Sequence, residues 1–320
     1  MSEHIEKGET PRGLTHSQDN NLFNIKWQFG LDKLVPYLFL APGLLLFFLF
    51  IILPMLYSFR ISLYDWNIIN PALSTFLGAD NYASVLIDPV FQRAVLNTLA
   101  YALVTVPVQI VLGMAVAILL NQDLPGKTFF RTLYYLPVIT SWVIVTLLFE
   151  FLFNGQAGYI NYLLESIGII DEPVRWLADD KLAMVPIHLL GIWKGLGWTA
   201  IVMLAGLQSI PKTLYEAASV DGANVLRRFS NITLPMMRPT LVFLLVVLTI
   251  GALNVYISGL LMTNGGDPLD RTHFVLTLMY EETFDNFEFG RGAAISYLLT
   301  IVVFMISLVQ IRLLNREVEY

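Results

Sequence analysis

The sequence predicts an all-α fold: a polytopic integral membrane protein with six transmembrane helices and both termini on the inner side. Three observations carry this. Hydrophobic residues make up 56% of the 320 positions and charged residues 14%, whereas soluble domains run at roughly 45–50% and about 25%. The apolar residues also gather into continuous runs near the ~20 residues that a helix needs to cross a bilayer core. They do not alternate, as the strands of a membrane barrel would. Finally, with six spans and the N-terminus inside, the inner segments hold 12 Lys/Arg and 10 Asp/Glu while the outer loops hold 6 and 14. That basic bias selects an N-in, C-in arrangement.

Residues 1–33 are polar and mixed in charge, unlike a signal peptide, in which a basic start runs straight into an apolar core. A cytoplasmic tail is expected there, ending in an interfacial stretch with Trp27 and Phe29. The transmembrane domain covers 34–314, with spans at about 34–57, 98–120, 133–153, 183–207, 239–262 and 293–314. A six-residue cytoplasmic tail, 315–320, follows. Pro36, Pro42 and Pro54 stand where a membrane helix tolerates a kink. Gly126-Lys127-Thr128 imitates part of a nucleotide loop, but Asn121 stands where a Walker A motif needs glycine. Asn231-Ile232-Thr233 has the form of a glycosylation sequon, yet lies on the inner side. There is no cysteine, and the four histidines are scattered without metal-ligand spacing. No catalytic nucleophile–base pair and no metal site are expected, and nothing points to nucleic acid.

The longest polar interruption of the second half is 211–239, PKTLYEAASVDGANVLRRFSNITLPMMRP. Thr213-x-x-Glu216 has the spacing of a capping box, in which the hydroxyl and the carboxylate each satisfy a first-turn N–H. A short helix should run to Val220. Asp221-Gly222 supplies a turn, because glycine takes φ > 0 without steric cost. A side chain at Gly222 is expected to disfavour that turn and to hinder the close approach of the two helices. Asn224 can cap a second short helix, which is expected to end before Pro235.

Glu216-Ala217-Ala218, Asp221-Gly222-Ala223, Phe229, Ile232, Leu234-Pro235 and Pro239 closely resemble the EAA loop of binding-protein-dependent ABC importer permeases. The resemblance implies that this loop is a coupling helix docked in a cleft of a cytoplasmic ATPase. It places ATP and Mg on that partner, with no cofactor on this chain and no enzymatic activity of its own. A second pattern, Phe76-Leu77-Gly78, Asn81-Tyr82, Asp88-Pro89, Phe91 and Asn97-Thr98, resembles the sugar-type subgroup, of the maltose and glycerol-phosphate kind. Together they imply a permease of the bacterial cytoplasmic (inner) membrane. Its implied partners are a second permease, often a different gene product, an ATPase dimer and an extracytoplasmic solute-binding protein. Solute would cross by alternating access.

The alternatives are an ABC permease for amino acids, peptides or inorganic anions, and an ion-gradient carrier. A carrier commonly places Asp, Glu or His within its spans, and here only Glu150 and His188 fall in or near one.

Candidate substrate-path residues are Lys194, Trp193, Trp198, Asn254 and Tyr256. Lys194 falls midway along the fourth span, where a charge is expensive and must face protein or a watery cavity. It is either a cavity donor or a structural group held by a carboxylate such as Glu150 or by local carbonyls. Aromatic faces and amides suit sugars, but are equally common in packing. Gly191 and Gly195 form a small-xxx-small pair that favours close helix contact.

Overall fold

The structure, a computed structural model, describes residues 35–122 and 125–314. The expected tails at 1–33 and 315–320 lie outside the described residues. The chain divides into two compact units, one ending at Leu56 and the other beginning at Tyr57. Each is described by itself.

The first unit holds most of helix α1 (Val35–Ser62). Its turns widen at Phe48–Ile52, where the Leu53 N–H reaches back to the Phe48 carbonyl. The wide turn falls immediately before Pro54, whose ring would otherwise strike the carbonyl four residues back.

In the second unit, the loop after α1 forms a two-stranded hairpin, β1 (Tyr64–Asp65) with β2 (Thr75–Phe76), in antiparallel register Tyr64↔Phe76. A purely helical fold is therefore corrected in this one place. Asn67 and Asn70 accept backbone N–H groups within the turn, which Asn side chains do readily. Helix α2 (Asp80–Ile87) follows. Helix α3 (Pro89–Leu120) begins nine residues earlier than the expected 98, because the Asp88 carboxylate caps the Val90 N–H at 2.7 Å and Pro89 fills the first helical position.

The expected single span at 133–153 is broken. Helices α4 (Lys127–Ile139) and α5 (Trp142–Leu152) meet at 96°. Thr140 and Ser141 are extended (ψ 147° and 138°), so the helix stops after Ile139 and restarts at Trp142. Helix α6 (Tyr159–Ser166) lies in the next loop, and α7 (Met184–Gln208) crosses beside α3. The loop helices α8 (Lys212–Val220), α9 (Val225–Arg228) and α10 (Leu234–Met236) come next. The fifth span is α11 (Arg238–Leu253) and α12 (Ile257–Met262), interrupted at 254–256. Helix α13 (Val275–Tyr280) belongs to the exit loop, and α14 (Phe289–Leu314) closes the fold. Among the described residues, five helices are long and apolar enough to span a membrane, or six if the bent α4–α5 pair counts as one.

Helices α3 and α7 form the spine. Tyr101 and Gln109 from α3 fill the notches left by Gly191 and Gly195 on α7, where any β-carbon would collide with them. The small-xxx-small pair thus admits two polar side chains rather than a bare backbone contact. Around the spine, Ile187, Leu190, Leu253 and Phe274 are fully buried. A second cluster, with Met203, Met237 and Leu244, lies under the 211–239 loop. The opposite helix faces carry exposed Leu103, Val111, Ile144 and Phe304, as expected of surfaces that meet lipid.

Candidate functional site

The 211–239 loop departs from expectation at both ends. Helix α8 starts at Lys212 with Pro211 before it and no side-chain cap. Thr213 therefore lies inside the first turn, and the expected Thr213–Glu216 capping box does not form. The α8 C-terminus follows the sequence closely. Gly222 has φ 75°, and the Ala223 N–H reaches the Ala218 carbonyl at 2.8 Å, the pattern of a helix closed by a left-handed glycine. Nothing lies within 4 Å of a β-carbon placed on Gly222. The expected crowding between the helices is thus corrected: the constraint there is conformational only. The Asn224 side chain accepts the Arg227 N–H at 2.9 Å, as an N-cap should.

The second short helix does not end before Pro235. It widens at Phe229–Thr233, where the Leu234 N–H bonds to the Phe229 carbonyl, and continues through Pro235. The same device precedes Pro54, and both prolines follow a leucine.

The inward side of the loop is tied down. Tyr215 and Phe229 pack on the cluster around Met237, the Tyr215 and Thr233 hydroxyls lie 2.9 Å apart, and Arg228 donates to the Ser219 hydroxyl. The outward side presents Glu216, Ala217, Asp221 and Gly222. Beside them stand three exposed aliphatic groups, Val220, Val225 and Leu226, 89%, 77% and 74% accessible. Motif matching overlooked these three; apolar residues flanking a predicted turn were the available signal. Among the described residues, the Glu216 carboxylate has no hydrogen bond or ion pair. Ala218, Ala223 and Phe229 are partly buried, while Leu234 and Pro235 are exposed.

Above this loop, α3, α5, α7 and the interrupted fifth span enclose a cavity of about 420 Å³, within the range typical of ligand sites. It brings together Trp198, Asn254 and Tyr256 of the expected residues. Sequence reasoning missed Tyr101, Thr105, Gln109, Trp142 and Ser258, which also line it. No lining residue carries a charge at neutral pH. Gln109 donates to the Gly191 carbonyl at 3.2 Å. Its Oε1 and the Ser258 hydroxyl are buried without a partner. Asn254 donates to the Ile250 carbonyl at 2.7 Å, leaving its amide oxygen available.

Lys194 and Trp193 are not cavity groups. The Lys194 ammonium donates to the carbonyls of Pro137 (2.8 Å) and Thr140 (2.7 Å), at the bend between α4 and α5. It lies 4.9 Å from the centre of the Trp142 ring. The carbonyl reading, not a Glu150 pair or a cavity donor, describes this residue. Trp193 packs on Phe149, with ring centres 5.6 Å apart.

The 76–98 pattern works as a set of fasteners between the loops at one end of the spans. Asn81 donates to the Ser62 and Tyr64 carbonyls at 2.9 and 3.0 Å, and the Tyr82 hydroxyl meets Ser62. Asp88 caps α3 and pairs with Arg291, which also binds Glu282 at 2.9 Å. Asn97 donates to the Arg271 and His273 carbonyls at 2.8 and 2.9 Å, and Thr98 accepts the Val275 N–H at 3.1 Å. Arg271 pairs with Asp180 from the preceding loop. Outside the spans, His273 is buried with Nε2 3.3 Å from Glu281 and 3.7 Å from Asp270. Burial raises the Glu281 carboxyl above its ordinary pKa, partly opposed by His273 and reinforced by Asp270, Glu282 and Asp285.

Comparison with known proteins gives one consistent pattern. Residues 89–319 match the model of a family described as "binding-protein-dependent transport system inner membrane component". The chain is 32% identical over 287 residues to the arabinooligosaccharides transport system permease protein AraP of Bacillus subtilis (strain 168), covering 89% of this chain and 90% of that one. It is 33% identical over 294 residues to the trehalose/maltose transport system permease protein MalF of Thermococcus litoralis, covering 92% and 97%. Among solved structures, a bacterial ABC transporter involved in the import of the acidic polysaccharide alginate shares the fold. There the TM-score is 0.79 and the identity 24%, over 90% of this chain and 98% of that one.

Proposed function

The chain belongs to the family of binding-protein-dependent transport system inner membrane components, and from that membership we propose that it forms part of the pathway of an ATP-driven importer for an uncharged sugar or sugar-like solute. It is a transport subunit, not an enzyme. The uncharged, aromatic-walled cavity carries the solute reading. Trp142, Trp198 and Tyr256 offer ring faces, and Gln109, Asn254 and Ser258 offer hydrogen-bonding groups. Sugar rings present the same mixture of C–H faces and hydroxyls. AraP and MalF are named for transport of neutral saccharides, which supports the same class. An inorganic anion or amino acid would call for a fixed charge, and none lines the cavity.

In this reading the chain lies N-in and C-in in a bacterial cytoplasmic membrane, and the loop around Glu216–Phe229 is the coupling element. Its partners are a second permease subunit, a cytoplasmic ATPase dimer that binds ATP and Mg, and an extracytoplasmic binding protein. Closure of the ATPases moves α8 and α9. Because Tyr215 and Phe229 are packed on the cluster at the inner ends of α7 and α11, that motion passes to the helices that wall the cavity. Hydrolysis resets the cycle.

The test is uptake of arabinotriose and maltose into proteoliposomes holding the assembled importer, its binding protein and ATP. Thr105→Trp, which fills the cavity, should abolish uptake while the ATPase stays bound. Uptake unaffected by the filled cavity, or proceeding without ATPase, would contradict the proposal.

A further inference from the structure

Lys194 is buried, 5% accessible, in the middle of a span, yet its charge does not reach the cavity. The α4–α5 bend leaves the Pro137 and Thr140 carbonyls without helical partners, because the ladder stops between them. The ammonium takes both. A cation at the C-terminal end of α4 also suits the partial negative charge of the carbonyls exposed there. The same ammonium sits over the ring of Trp142, the first residue of α5 and part of the cavity wall. One residue later on α7, Gly195 admits Gln109. Gly197 lets α7 come so close to α4 that a β-carbon there would collide with the Tyr134 carbonyl. The bend is thus held from one side by backbone contact and from within by a charge.

We infer that Lys194 is a positioning residue: it fixes the bend of the third span so that the Trp142 indole stands in the cavity wall as a stacking face for the solute. This rests on the reading of the cavity as the solute path. It separates two roles that one residue would otherwise share. The charge is spent on the backbone, and the solute meets a neutral aromatic face whose orientation the charge maintains. Without the clamp, Pro137 keeps only the Thr140 hydroxyl, 2.7 Å away, and the Thr140 carbonyl loses its donor, so the bend relaxes and Trp142 leaves the wall.

Fluorine NMR of the assembled importer, grown with 5-fluorotryptophan, tests this directly. Trp142→Phe and Trp198→Phe assign the two cavity resonances, and Trp66 and Trp176 in the outer loops serve as controls. Lys194→Met should shift the Trp142 resonance and leave the controls in place, and Lys194→Arg should return it toward its native position. If Lys194→Met fails to assemble, Lys194→Gln, which keeps donors but no charge, takes its place. Millimolar arabinotriose or maltose should perturb both Trp142 and Trp198 in the native importer, and only Trp198 once the clamp is removed. An unmoved Trp142 resonance in the Lys194 variant would overturn the inference. So would saccharides that perturb Trp198 but not Trp142 in the native importer, with the cavity reading left standing. If neither tryptophan responds to saccharide, the cavity reading fails and the inference fails with it.

Discussion

The hydroxyls of Tyr215 and Thr233 lie 2.9 Å apart, joining a residue of the first loop helix to the wide turn ahead of Pro235. Tyr215 also packs against the buried cluster beneath the loop, so this bond fixes the angle between the loop helices and the spans. Tyr215→Phe keeps the packing and removes the bond, worth about 1 kcal/mol. The variant should retain the ATPase but show a several-fold lower stimulation of ATP hydrolysis by the loaded binding protein. Stimulation at the native level would mean that the loop's orientation does not depend on this contact.

Gly222 offers a separate prediction, because its surroundings are open and only its φ of 75° is demanding. A β-branched residue there costs about 1–2 kcal/mol and an asparagine much less. Gly222→Val should therefore uncouple hydrolysis from transport, while Gly222→Asn should stay near the native ratio of solute imported to ATP consumed. Equal damage from both would point to a contact with a partner rather than to backbone strain.

At the opposite end of the spans from the 211–239 loop, Asn97 holds the carbonyls of Arg271 and His273. Asn97→Ala removes one exposed and one partly buried hydrogen bond and should lower stability by about 1–2 kcal/mol. Thermal unfolding of the detergent-solubilised complex measures this, and an unchanged midpoint would show that water replaces the amide without loss.

The Glu281 carboxyl is raised above its ordinary 4.5 by burial, with Asp270, Glu282 and Asp285 adding to the shift and His273 opposing it. A carboxyl with a raised folded pKa binds more protons folded than unfolded. Its stabilising contribution is therefore greatest below the unfolded value and declines as pH rises through the window up to the folded value. Glu281→Gln cannot titrate, so its melting temperature relative to the native protein should increase from acid to neutral pH. A difference that stays flat, or narrows, would show that the side chain is not held in a desolvated setting.

Much of this was legible in the sequence for a simple reason: apolar run length and turn chemistry act locally. Five spanning helices, the left-handed Gly222 and the Asn224 cap all follow from residues within a few positions of one another. What the sequence hid was direction and context. Lys194 is conspicuous as a charge in a span, but its partners are carbonyls released by a bend 54 and 57 positions away. That bend needs Pro137 together with the extended Thr140 and Ser141, and Pro137 alone reads as a tolerable kink. Thr213 resembled a cap because its spacing to Glu216 is right, but with Pro211 as the N-cap the helix begins two residues earlier, at Lys212. Pro235 was expected to stop a helix, which instead absorbs it through a wider turn.

In the proposed function, the outward face of the 211–239 loop docks on an ATPase. Glu216 stands there without a partner among the described residues, next to the exposed Val220, Val225 and Leu226. That arrangement fits an apolar contact beside one charge pair. The most direct measurement is the amount of ATPase that co-purifies with the permease when Glu216→Ala and Val225→Asp are introduced together. A loss of tenfold or more is expected, with the spans still assembled and inserted. Retention of the full native amount, with normal stimulation by the loaded binding protein, would reduce the loop to a connector between spans and contradict the account.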